Sequence, residues 1–377
     1  MIIGARRMFI SSTRETCYNR HVDHVDDDAP IVAQVQARAA LAGNPSDGYA
    51  GAVLAIPVDA YGATVILRKA AQFSISDELS GHRIFTRLDE VRAAGSHLHS
   101  DDPHALILAT VDYFLQTTNA RLQPCAIEVS SSIPVSVGLA GSSAIVIGVL
   151  RALYTSANYP LPNFLALASM ALSVETQWLG ITAGMQDRLV QVHGQPVLML
   201  FNAPFDAGGE STPGEKDGST AGLKPGANFR LLVAHRHEWS EPSQVVHGDL
   251  RRRFDGGDQM VHAAMTQLRI RAIAAGNAFA AGDAKLLGES MDATHDLRAS
   301  MIDLVPDHLT MVRAARSAGA SANYTGSGGA VIVLSSSDKI ESAARQSLKK
   351  LGCEVVSVGV DPNPGLPTWS PPVHSSD

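Results

Sequence analysis

The sequence predicts an α+β protein built as two lobes. Before residue 203, short β-favouring runs gather around one strongly apolar helical stretch; after residue 228, single strands alternate with long helical patterns. Strands interleaved with helix pairs read as an α+β sandwich. Between the two regions lies a break, residues 203–227, rich in Gly, Ser, Pro and Asp and with little to bury. The 377 residues suffice for two cores at ~150 residues per domain.

Each element follows in order. Residues 1–30 carry Arg6, Arg7, Arg14 and Arg20 and a run with His21, His24, Asp26, Asp27 and Asp28, but no apolar core of the kind a signal peptide needs, and read as a disordered extension. Apolar and β-branched residues predict strands at 31–41, 52–58 and 63–67, the last two parted by a turn at Asp59-Ala60-Tyr61-Gly62. Residues 103–115 predict a helix with Pro103 near its first turn. A strand at 125–131 leads into a small-residue loop and a helix over 142–154. Leu167, Ala171, Val174 and Trp178 place a helical stripe along 164–179, and a strand at 195–201 closes a first domain of residues 31–202. The second domain, residues 228–360, reads as a strand (229–235), helices (258–281, 283–300, 307–317), a strand pair flanking Thr325–Gly329, a helix (338–351) and a strand (353–358). Pro362, Pro364, Pro367, Pro371 and Pro372 make 361–377 a disordered tail.

The bulk numbers exclude several classes. A net charge of −7 gives no basic surface for nucleic acid or an anionic membrane, and no apolar run is long enough to span a bilayer. Cys17, Cys125 and Cys353 are odd in number and far apart, which argues against a disulfide scaffold or a zinc cluster and for a reducing, cytoplasmic setting. Monomer and homodimer both stay open.

The most informative stretch is Pro134-Val135-Ser136-Val137-Gly138-Leu139-Ala140-Gly141-Ser142-Ser143-Ala144, feeding directly into Ile145-Val146-Ile147. Glycines let a backbone approach a ligand, and a helix N-terminus offers unpaired N–H groups and a positive dipole end. Ser142 and Ser143 add hydroxyls for phosphate oxygens or a cation. A serine-capped helix after a flexible loop explains the stretch equally when it is taken alone. No lysine occurs between Lys69 and Lys216, so the common P-loop is excluded.

Three further constellations bear on chemistry. Arg38 precedes Gly43-Asn44-Pro45-Ser46-Asp47, a strand running into an Asn-Pro turn. Glu175 and Asp187 flank Gly180 and Gly184, which makes one straight helix between them untenable and puts Asp187 in the first turn of a new one. There the helix dipole favours its ionised form and makes it a weaker base. Thr325-Gly326-Ser327-Gly328-Gly329 precede an apolar strand, as a tight turn would.

These segments, in this order, resemble the three motifs of the GHMP kinase superfamily of galactokinase, homoserine kinase, mevalonate kinase and phosphomevalonate kinase. The loop Gly138–Ala144 is one residue longer than the usual Gly-Leu-Gly-Ser-Ser-Ala, a form associated with the glucuronokinase branch. Ala42–Asp47, Leu179–Arg188, Tyr324–Val331, Val246–Asp258 and Asp296-Leu297-Arg298 also look like that branch. The resemblance implies an N-terminal ribosomal-protein-like α/β lobe, a C-terminal ferredoxin-like α/β sandwich, and ATP and Mg2+ as co-substrate and cofactor. It implies phosphorylation of the anomeric hydroxyl of D-glucuronate, a small sugar acid, feeding UDP-glucuronate synthesis.

Carried over residue by residue, Pro134, Gly138, Leu139, Ala140, Gly141, Ser142, Ser143 and Ala144 would hold the ATP phosphates. Ser143 and Glu175 would hold magnesium, Asp187 would take the hydroxyl proton, and Arg38 would stabilise the transferring charge. Asn44, Asp47, Thr325, Gly326, Ser327, Gly328 and Gly329 would line the sugar site, with Arg188 or Arg298 meeting the uronate carboxylate through bidentate pairing. Asn44 and Pro45 stand where galactokinases have an acidic residue and a histidine, so hydroxyl selectivity must differ. Other readings stay open: a kinase of this fold for galactose, arabinose, galacturonate or a heptose phosphate, or a catalytically silent sugar and nucleotide sensor. A mevalonate-diphosphate-type decarboxylase is disfavoured by the lack of a lysine-rich diphosphate site.

Overall fold

The computed structural model describes residues 29–78, 81–96, 102–202, 219–239 and 244–360. The expected N-terminal extension up to residue 28 with its His/Asp run, the 203–218 part of the break, and the tail 361–377 lie outside the described residues.

Strand β1 (Ile31–Ala42) alternates exposed and buried residues at first and is buried throughout from Ala37 on. Its alanines there are small enough for neighbours to close over both faces. It pairs antiparallel with β2 (Ala52–Lys69), which runs unbroken for 18 residues. The turn expected at Asp59–Gly62 is instead a bulge: Gln36 opposes Gly62 and Ala37 opposes Val58, so Asp59, Ala60 and Tyr61 are extra. The bulge is held from outside the sheet. Buried Tyr61 donates to Glu354 Oε1 (2.7 Å) and lies 2.9 Å from His235 Nε2, both in the second lobe.

A hairpin, β3 (Phe73–Asp77) and β4 (Gly81–Phe85), and helix α1 (Leu88–Ser96) follow; they were not expected, although Phe73 and Ile75 alternate with serines in β3 and are buried. Helix α2 (Ala105–Thr118) and β5 (Cys125–Ser131) lead to α3 (Gly141–Ser156). α3 lies close on the sheet at Gly148, where a methyl group would sit 2.7 Å from Val65 Cγ2. The expected single helix over 164–179 is α4 (Phe164–Ser173) continued by one wider π turn, Val174–Trp178, closed by Leu179 N–H on Val174 O at 3.2 Å. Then come α5 (Met185–His193), β6 (Val197–Leu200) and an exposed edge strand β7 (Ser219–Gly222), which takes up part of the expected loop. The seven strands run β4-β3-β5-β2-β6-β7, with β1 also on β2.

In the second lobe β8 (Arg230–His235) precedes α6 (Gln244–Asp255), a helix not expected from the sequence. α7 (Gln259–Ala281) starts where Asp258 accepts the Met260 and Val261 N–H groups, and ends at left-handed Gly282. Asp283 caps α8 (Ala284–Met301), Pro306 opens α9 (Pro306–Ser317), and Ser337 caps α10 (Asp338–Lys350). With β9 (Ser321–Tyr324), β10 (Ala330–Ser335) and β11 (Glu354–Val358), the second sheet runs β11-β8-β10-β9, antiparallel throughout.

One face of that sheet packs on α9 and α10 through Met311, Val312, Ala344 and Leu348. The other face, with Leu231, Val233, Ile332 and Leu334, joins Phe279 of α7 and the first lobe in a single apolar core. Both lobes are thereby welded along β1, β2 and α7. Among the described residues no helix is long and apolar enough to cross a membrane.

Candidate active site

Three loops converge on the buried end of β1. Arg38 is 3% exposed. Its backbone N–H donates to Leu139 O (3.2 Å) of the small-residue loop, and two residues on Ala40 N–H donates to Thr325 O (2.9 Å) of the Gly-rich turn. The Arg38 guanidinium repeats the pattern, Nη1 donating to Gly138 O (2.9 Å) and Thr325 O (2.5 Å) while Nε donates to Asp187 Oδ1 (2.6 Å). Thr325 Oγ1 also donates to Gly138 O (3.0 Å). Arg38, Asp187, Gly138 and Thr325, distant in sequence, are thus one hydrogen-bonded group.

The loop reaches α3 through left-handed residues: Ser136 (φ 58°), Gly138 (φ 75°) and Ala140 (φ 63°). At Ala140 that conformation costs about 1 kcal/mol for a residue bearing a Cβ. It is held by Gln191 Nε2, which donates to Ala140 O at 2.8 Å. No side chain caps α3, and the first backbone bond into it is Ala144 N–H to Ala140 O (3.3 Å). The N–H groups of Gly141, Ser142 and Ser143 therefore project from the helix end, where an anion is stabilised.

Glu175, on the π turn, is wholly buried. Its Oε1 accepts from Ser142 Oγ (2.6 Å), and its Oε2 accepts from Arg188 Nε (2.9 Å) and Nη2. Arg188 Nη1 donates further to Gly184 O (2.7 Å) and Asp187 Oδ2 (3.3 Å). Burial alone would depress the Arg188 pKa, but the carboxylates of Glu175 and Asp187 outweigh it and raise it.

Asp47, in the one-turn helix Ser46–Tyr49, is 4% exposed and lies against Gly184, where a side chain would overlap its carboxylate. Gln186 N–H and Nε2 approach it only at 3.5 Å. Burial first, and the charge of Asp187 second, push the Asp47 carboxyl up from 3.8 to about 6.

Comparison with known proteins fits this geometry. The model of the GHMP kinases N terminal domain matches residues 105–195, and that of the GHMP kinases C terminal region matches residues 277–352. Glucuronokinase 1 of Arabidopsis thaliana is 30% identical over 327 residues, 82% of this chain and 87% of that protein. The chain belongs to the GHMP kinase family. Solved GHMP kinases share its fold. Lactococcus lactis galactokinase complexed with galactose superposes with a TM-score of 0.70 at 16% identity, over 88% of this chain and 93% of that one. Streptococcus pneumoniae phosphomevalonate kinase in complex with phosphomevalonate and AMPPNP gives 0.69 at 16%, over 87% and 100%.

Within this GHMP kinase, Arg38 links Gly138, Thr325 and Asp187, Arg188 links Asp187 to Glu175 and through it to Ser142, and Asp47 lies beside Gly184 and Gln186. Ser142, not Ser143, meets Glu175; Ser143 is buried and turns its hydroxyl to Ala140 O (3.3 Å). Asn44 is buried, its amide donating to Tyr324 O (3.2 Å) and accepting from Asn323 (3.0 Å). Arg188 is engaged by Glu175, Asp187 and Gly184, and Arg298 donates from Nη1 and Nη2 to the carbonyls of Gly326 and Ser327 (2.6 Å each), its Nε buried without a hydrogen-bond partner. Leu139 and Ala144 bury their side chains in the apolar core, while Gly328 and Gly329 have left-handed or extended positive-φ backbone (154° and 84°).

Sequence reading missed Gln191 and Gln186, and two arginines that hold the Asp47 loop. Arg251 Nη1 donates to Gly48 O (3.0 Å), and Arg269 Nη1 donates to Ala50 O (2.9 Å) and Gly51 O (2.8 Å). Gln186 and Arg251 lie in the segments Leu179–Arg188 and Val246–Asp258, whose likeness to glucuronokinase was the available signal.

A magnesium ion fits the donor set. Ser142 Oγ and Glu175 Oε1 are hard oxygen donors brought together at the helix end, and among the described residues no larger His, Cys, Asp or Glu cluster competes. Magnesium is commonly held by one or two protein oxygens and substrate phosphates.

Proposed function

We propose that this GHMP kinase transfers the γ-phosphoryl group of ATP to the anomeric hydroxyl of a sugar acid, D-glucuronate, giving glucuronate 1-phosphate for UDP-glucuronate synthesis. One observation carries the catalytic part: Asp187 and Arg38 are bonded at 2.6 Å at the point where the phosphate loop and the Gly-rich turn meet. The substrate rests on the glucuronokinase relative.

In this reading the N–H groups of Gly141, Ser142 and Ser143 receive the β- and γ-phosphates. Ser142 and Glu175 hold magnesium, which neutralises phosphate charge when bound. Asp187 orients the anomeric hydroxyl and accepts its proton. Two guanidinium groups bond the Asp187 carboxylate, which weakens it as a base, and a largely dissociative transition state tolerates that because the proton can leave late. Arg38, sharing that carboxylate, faces the transferring charge. Asp47 accepts hydrogen bonds from sugar hydroxyls.

ATP consumption by the purified protein with magnesium tests this across D-glucuronate, D-galacturonate, D-galactose, L-arabinose and a heptose phosphate. Preference for D-glucuronate, abolished by Asp187→Ala, supports reaction and base together. A second reading has its own observation. Arg188 and Arg298 are both engaged with protein partners, which favours a kinase of the same mechanism for a neutral sugar, and turnover of galactose or arabinose alone would select it. Sugar and nucleotide binding without turnover would select the silent sensor.

A further inference from the structure

Arg298, in the last turns of α8, is 1% exposed and forms no ion pair among the described residues. A buried charge without a counter-charge is costly. Its compensation is unusual in form: Nη1 donates to Gly326 O and Nη2 to Ser327 O, both at 2.6 Å, with Cζ 5.2 Å from the Tyr324 ring centroid. Burial lowers its pKa to about 10, which leaves it charged at neutral pH.

The fork grips two successive carbonyls of the Gly-rich turn. In a planar trans peptide the next residue's N–H points opposite to the carbonyl. Fixing Gly326 O and Ser327 O on Arg298 therefore turns the N–H groups of Ser327 and Gly328 to the opposite side. Among the described residues no acceptor meets either of them, although Gly329 N–H is met by His308 Nδ1 at 3.4 Å. The opposite side is the phosphate loop. A methyl group on Gly138 would lie 3.3 Å from both nitrogens, and one on Gly326 would lie 2.8 and 2.9 Å from the Arg38 guanidinium nitrogens.

We infer that Arg298 is a positioning residue that presents the Ser327 and Gly328 N–H groups, beside Arg38, as a cradle for an anionic oxygen of the reactants. Paired backbone N–H groups in a turn form such a cradle. The inference rests on the kinase reading, and two sources share this chemistry: the phosphoryl group in transfer, and a carboxylate on the sugar. It also gives the sugar acid an anion partner while Arg188 and Arg298 are engaged with protein groups.

The test uses the full chain with 15N-labelled serine and glycine, following the Ser327 and Gly328 amide signals by NMR. Downfield shifts of both with magnesium and AMPPNP support the cradle and assign it to the phosphoryl group. Shifts with D-glucuronate but not D-glucose support it and assign it to the carboxylate. Amides that do not move with magnesium and AMPPNP, and that the two sugars leave unmoved or move equally, overturn it.

Arg298→Lys, which keeps the charge but loses the fork, tests positioning. It should keep KM for ATP while kcat falls on the order of 100-fold, the loss typical of one misplaced oxyanion donor. Unchanged kcat in a folded variant refutes the role. If the variant does not fold, the wild-type amide shifts still decide. Should no sugar be turned over, the AMPPNP response separates failure of the cradle from failure of the sugar reading.

Discussion

Asp47→Asn should make the protein more stable at neutral pH while impairing sugar use. Asp47 is enclosed and near a second carboxylate, and its carboxyl is raised from 3.8 to about 6. The folded state thus holds this proton more tightly than the unfolded chain does, so stability from this group is fully present below about pH 4 and is lost as pH rises through 6. A shift of about two units at 1.36 kcal/mol each comes to about 3 kcal/mol at pH 7. Asparagine keeps the shape without the charge.

Urea unfolding of both proteins from pH 4.5 to 7.5, without ligands, reads this directly. The variant's advantage should widen by up to about 1.4 kcal/mol per pH unit below pH 6 and level off above it. A pH-independent gap, or a variant less stable at pH 7.5, would refute the claim that Asp47 is ionised against its environment. The same strain predicts that sugar binding near pH 6 releases a proton, seen as a buffer-dependent heat in calorimetry.

Three other outcomes follow from the site and the core. Asp187→Asn should lower kcat by at least about 100-fold, within the range for loss of a general base, with sugar KM little changed; steady-state kinetics check it. Glu175→Gln breaks the buried pair with Arg188 and should cost about 3–5 kcal/mol in denaturation, with Glu175→Gln plus Arg188→Met losing less than the two single changes summed. Gly148→Ala should cost about 1–3 kcal/mol by pushing α3 off Val65, with kinetic constants of the surviving enzyme near normal.

The lobes, the long apolar helix and the three motif loops were legible because each has a local signature: a period, a cap, or a cluster of glycines. Partners were not. Consecutive helical residues point about 100° apart, so whether Ser142 or Ser143 faces Glu175 depends on where α3 begins, and left-handed Ala140 sets that start. The π turn that carries Glu175 leaves no mark in an apolar stripe. Arg188 and Arg298 were legible as charges available for a carboxylate. Their occupation by Glu175, 13 residues away, and by carbonyls 28 and 29 residues on belongs to tertiary structure. The hairpin β3–β4 and α6 escaped because, among the described residues, each buries only a few apolar residues, Phe73, Ile75 and Phe85 in the hairpin and Leu250 in the helix, within otherwise polar segments.

Among the described residues, the edge of β1 opposite its partner β2 receives no strand; it receives the two loops, through the N–H groups of Arg38 and Ala40. Two residues along a strand span about 6.6 Å, a length fixed by covalent geometry. The small-residue loop and the Gly-rich turn are therefore pegged to a ruler inside the first lobe, although the turn is coded nearly 300 residues later, at 287 positions from Arg38. The spacing of the two loops is thus a property of one strand.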